Sequence, residues 1–84
     1  MSIGKEIMLL KARIADAKKR REDMVHRADS YIIILRDLID PYSEDFTTLD
    51  IDKAVVIIND FSRLQKEAKQ LDDEISRMKR DLRG

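Results

Sequence analysis

Asp23 and His26 stand three residues apart, the spacing at which one helix offers a carboxylate and an imidazole to a metal ion. Such centres need several ligands converging on a helical core. His26 is the only histidine, and the apolar periodicity places it on the outer face, so a surface histidine is the expected reading and no metal is implied. A second acidic set, Asp40, Glu44, Asp45, Asp50 and Asp52, clusters around the single proline, Pro41. It lacks the ligand order and central glycine of a calcium loop, and helix capping and solubility account for it. Cysteine is absent, so no disulfide, thiolate ligand or thiol nucleophile exists. No glycine-rich phosphate loop, no pair of inward carboxylates and no nucleophile beside the histidine can be found. A non-enzymatic protein without cofactors is expected.

The remaining chemistry is cationic. Lys18, Lys19, Arg20 and Arg21 form the strongest basic run, and a chain that folds back would bring Arg77 and Arg80 near it. Such a surface could lie along phosphates. Yet Asp16, Glu22, Asp23, Asp72, Asp73 and Glu74 interleave, no aromatic residue is there to stack on bases, and the formal net charge is zero. The first reading is a solvated, salt-bridged face. Nucleic-acid contact through Lys18, Lys19, Arg20, Arg77 and Arg80 is the alternative.

These groups must be carried by helices. Ile3, Ile7, Leu10, Ile14, Ala17, Met24, Ala28, Tyr31, Leu35 and Leu38 recur at alternating steps of four and three, with Arg21 as the one polar substitute. They are the a and d sites of an unbroken heptad with Ile7 at a. Pro41 ends the run. Ala54, Ile57, Phe61, Leu64, Ala68, Leu71, Ile75, Met78 and Leu82 form a second series, with Thr47 or Thr48 as its expected cap. The spacing predicts one all-α domain over 1–84, with helices over about 3–39 and 49–82 joined by an acidic loop over about 40–48. So short a connection forces an antiparallel two-helix hairpin of coiled-coil type.

Pairing Leu38 with Ala54 fixes the register. Leu35 then meets Ile57, Tyr31 meets Phe61, Ala28 meets Leu64, Met24 meets Ala68, Arg21 meets Leu71, and Ala17 meets Ile75. Small residues oppose large ones in several layers, which keeps the gap between helices even. On one flank, Arg13–Asp81, Arg20–Glu74 and Arg27–Glu67 come out opposite in charge. In the Arg21 layer, the guanidinium should reach Asp72 or Glu74 while its stem covers Leu71.

The other flank turns apolar toward the loop: Val25, Ile32, Ile39, Ile51, Val55 and Ile58. A hairpin has nothing left to cover this stripe. The expected outcome is a homodimer, a four-helix bundle, or docking on a helical partner. Tyr42 and Phe46 are expected to fold over the bundle end, or else to join the stripe as docking knobs. Ile33, Ile34 and Val56 lie outside the stripe and add apolar surface near the loop, whereas Ile3 and Ile7 reach past the last layer of the second helix. Residues 37–60 hold seven acids and one lysine, so the loop end is acidic and the open end basic. Burial favours loop half on loop half, and a staggered antiparallel overlap would also ease the charge. The opening residues do not read as a signal peptide and no run is long enough to span a membrane, so a cytoplasmic protein is expected.

Overall fold

The structure, a computed structural model, describes residues 3–42 and 45–84. Two long helices run antiparallel, α1 (Ile3–Leu38, 36 residues) and α2 (Ile51–Arg83, 33 residues). A single 3-10 turn, η1 (Phe46–Thr48), lies between them. The hairpin is a rod of 67 × 15 × 15 Å. Its radius of gyration is 19.3 Å, against about 12 Å for a compact domain of this length.

The seam follows the heptad. In α1 the residues shielded from solvent are Leu10, Ile14, Ala17, Arg21, Met24, Ala28, Tyr31, Leu35 and Leu38, which is the a/d series with Arg21 kept in its place. In α2 the a/d series from Ala54 to Leu82 is shielded in the same way, joined by Asp60 and Ser62. The predicted layers are present where specific contacts mark them. The Tyr31 and Phe61 rings pack with centroids 5.7 Å apart and planes tilted by 32°. Ala17, Leu71 and Ile75 form one cluster, with Met24 and Met78 against it. Arg21 Nε donates to Asp72 Oδ1 at 2.8 Å, one residue beyond the Leu71 of its layer.

The flanking charges behave differently from expectation. None of Arg13–Asp81, Arg20–Glu74 and Arg27–Glu67 comes within 4.0 Å, and among the described residues Arg21–Asp72 is the one ion pair between the helices. Exposed pairs of long side chains gain little over hydration and lose rotamer entropy on locking, so they stay open. Asp60 instead pairs within its own helix, with Arg63 at 2.9 Å.

The loop corrects two further expectations. Neither Thr47 nor Thr48 caps α2. Asp50 does, accepting from Lys53 N at 3.1 Å, because η1 occupies 46–48 and delays the helix to Ile51. The threonines serve Asp45 instead. Thr47 donates both its amide (3.0 Å) and its hydroxyl (2.8 Å) to Asp45 Oδ1, and the Thr48 hydroxyl donates to Asp45 O. Asp40 accepts from Tyr42 N at 2.9 Å, turning the chain at Pro41. Glu44 lies outside the described residues. At the far end Gly84 takes φ +93°, the left-handed region that glycine tolerates, and its amide closes on Asp81 O.

Candidate docking surface

α1, the residue that follows it, and α2 build the surface. Val25 and Ile32 of α1 and Ile39 just past its end repeat every seven residues, and Ile51 and Ile58 do the same along α2. Each stands one position after a d or a site, so its side chain emerges at the edge of the seam. The register marked by Tyr31 on Phe61 carries Ile32 to the height of Ile58 and Ile39 to that of Ile51, and Val55, at a neighbouring b site, widens the strip. All six residues are 39–50% exposed. Each leaves more than a third of its surface open to water. The strip amounts to roughly 400–500 Å² of apolar surface, at the upper end of what soluble monomers leave bare.

The strip is not flat. Beside Ile58 lies a shallow open depression lined by Phe61, Ser62 and Gln65. Phe61, which packs on Tyr31 and is partly shielded, contributes to its lining. Asp29 and Arg36 flank Ile32 along the α1 border, one before it and one after, and neither forms an ion pair in the hairpin.

Tyr42 and Phe46 do not fold over the end of the hairpin, as the first of the two sequence readings expected. They are 90% and 79% exposed. A pair of helices 15 Å across offers almost no end to cover. Leu49, which follows η1, is partly shielded from solvent whereas Phe46 is not. Leu49 is the one aliphatic residue between Pro41 and the Asp50 cap, and that was the signal for it. The two aromatics stand out into solvent at the loop end.

A second apolar region lies at the open end. Ile3, Met8 and Leu9 are exposed, and Ile7 is only partly covered. Ile3, Ile7 and Leu10 border an open groove with Leu82 and Arg83. Met8 and Leu9 fall off the heptad seam, so periodicity alone passes over them. Ile33, Ile34 and Val56 are exposed near the loop, as expected.

The basic residues do not gather into one surface. Lys18, Lys19, Arg20, Arg77 and Arg80 are all exposed. In the heptad they occupy e, f and g of α1 and c and f of α2, so they point around the rod. Asp73 sits with Arg77 and Arg80 about one shallow recess. His26 is exposed, and its carbonyl accepts from the Ser30 hydroxyl. Among the described residues no three His, Cys, Asp or Glu side chains converge on a metal-sized space, and no helix is long and apolar enough to cross a membrane. Comparison with protein-family models, curated proteins and solved structures finds no match to this chain.

Proposed function

We propose that this protein is a non-enzymatic structural or adaptor component that works by helix-on-helix association through the loop-proximal stripe, with a homodimeric four-helix bundle as its assembled form. The observation that carries the reading is the mismatch between seam and surface. Among the described residues only Ile14, Ala17, Ala54, Leu64, Leu71 and Ile75 are buried, while fifteen large apolar residues are exposed. The chain presents 7005 Å² to solvent, against about 5,200 Å² for a compact monomer of 9.9 kDa. The excess is of the order that protein interfaces remove. Six of the exposed apolar residues, Val25, Ile32, Ile39, Ile51, Val55 and Ile58, fall on one flank, at the spacing that a facing helix requires.

Native mass and sedimentation test the reading. Wild type should be assembled at micromolar concentration. Ile32→Asp and Ile58→Asp should dissociate it, while Val56→Asp, on an exposed site away from the stripe, should leave it intact. A wild-type chain that is folded and monomeric, with no partner lost on Ile58→Asp substitution, refutes it.

A further inference from the structure

Resting on the proposed association, we infer that the occupant of the stripe is a second copy of this chain set antiparallel and staggered, with the two-fold axis passing through the Ile32–Ile58 layer. The Val25–Ile32–Ile39 part of the stripe is palindromic about that layer. Val25, in α1, and Ile39, just past its end, lie seven residues to either side of Ile32. On α2, Ile51 and Gln65 lie seven to either side of Ile58. A two-fold axis across the rod at this height sets α1 against α1 and α2 against α2. Ile32 then meets Ile32 of the second copy, and Ile39 meets its Val25. Val55, three residues before Ile58, falls on the depression formed three to seven residues after it by Phe61, Ser62 and Gln65.

Charge selects this polarity over the alternative. Asp29 and Arg36 border Ile32 at three residues before and four after, without an ion-pair partner inside the hairpin. The axis carries each Arg36 to the Asp29 of the other copy, giving two reciprocal pairs. A parallel dimer sets α1 against α2 instead, leaves both groups unmatched, and stacks seven acids and one lysine of one loop end on the same set of the other. In the staggered arrangement each acidic loop lies at the height of Lys18 and Lys69, which share the e and b sites of that stretch with Glu22 and with the Asp72 held by Arg21. The overlap is confined to the loop halves. The assembly is therefore a rod of about 100 Å, from a 67 Å hairpin overlapped by roughly twice the axis-to-tip distance at 1.5 Å per residue.

The absence of native cysteine makes the test direct. Oxidation of the full chain carrying Ile32→Cys alone, or Ile58→Cys alone, should yield covalent dimers, and Val56→Cys should not. Solution scattering of wild type should give a maximum dimension near 100 Å rather than near 67 Å. Asp29→Arg and Arg36→Asp should each weaken the dimer about tenfold, and the double swap should restore it to within about threefold. A dimer of unextended length that cross-links only when Ile32→Cys and Ile58→Cys chains are mixed overturns this arrangement and leaves the proposed function standing. A folded monomer at submillimolar concentration overturns this inference, and the proposed function then stands or falls on a partner of another kind.

Discussion

Replacing Arg21 with leucine should stabilise the hairpin. Arg21 occupies an a site within the seam, opposite Leu71, and spends its guanidinium on Asp72 at 2.8 Å. The two side chains are 37% and 51% exposed, so the pair sits in water-like surroundings and is worth about 0.2–1 kcal/mol. Asp72 left alone remains well hydrated. Leucine at this site would join the Leu71, Ala17 and Ile75 cluster and bury most of its side chain, a gain of about 1.5–3 kcal/mol before correction. The aliphatic stem of Arg21 already shields part of Leu71, which halves that gain. The net is about 0.5–1 kcal/mol of added stability, or a rise of roughly 2–8 °C in Tm for a domain of this size. Thermal unfolding followed by circular dichroism at fixed concentration reads it directly. Asp72→Asn in the same series isolates the ion pair and should lower stability by no more than about 1 kcal/mol. A fall in Tm for Arg21→Leu would mean that the Arg21–Asp72 pair contributes more than packing does, and the account of a mainly apolar seam with one tolerated charge would be wrong.

Two further outcomes follow from the loop. Asp50→Ala removes the acceptor for the Lys53 amide at the start of α2, and should cost about 1 kcal/mol in thermal or denaturant unfolding, with Asp50→Ser recovering most of it. The Asp45 carboxyl is held below its usual value by the Thr47 amide and, secondarily, the Thr47 hydroxyl. A carboxylate whose folded pKa is depressed stabilises the fold above its unfolded value near pH 4 and ceases to do so as pH falls through the folded value. The Thr47 amide resonance should therefore titrate with a midpoint below the ordinary aspartate value, and a midpoint at or above it would contradict the hydrogen bonds described.

The seam could be read from the residues because period and chemistry agree along its whole length. Alternating steps of three and four leave one register that pairs small with large, and Tyr31–Phe61 and Arg21–Asp72 stand where that register sets them. The stripe could be read too, since it is the same heptad displaced by one position. The loop could not. Whether Thr47, Thr48 or Asp50 caps α2 depends on η1, whose three residues carry no strong propensity and form because Asp45 gathers the Thr47 amide and both threonines around it. The exposure of Tyr42 and Phe46 hangs on the same local choice. The charged flank misled for another reason: opposite signs at matching heights make contact possible, and solvation decides whether it occurs, as the open Arg27–Glu67 pair shows.

The turn at Pro41 leaves Ile3 and Gly84 side by side at the same end of the rod. Tension applied across those ends meets the layers in series. It would peel Leu10 from Leu82 first and reach Leu38 and Ala54 last, with a single layer resisting at each moment. Tension applied sideways across the stripe would load several layers at once. The molecule is thus a zipper in one direction and a strut in the other, and where it is held decides which of the two it will be.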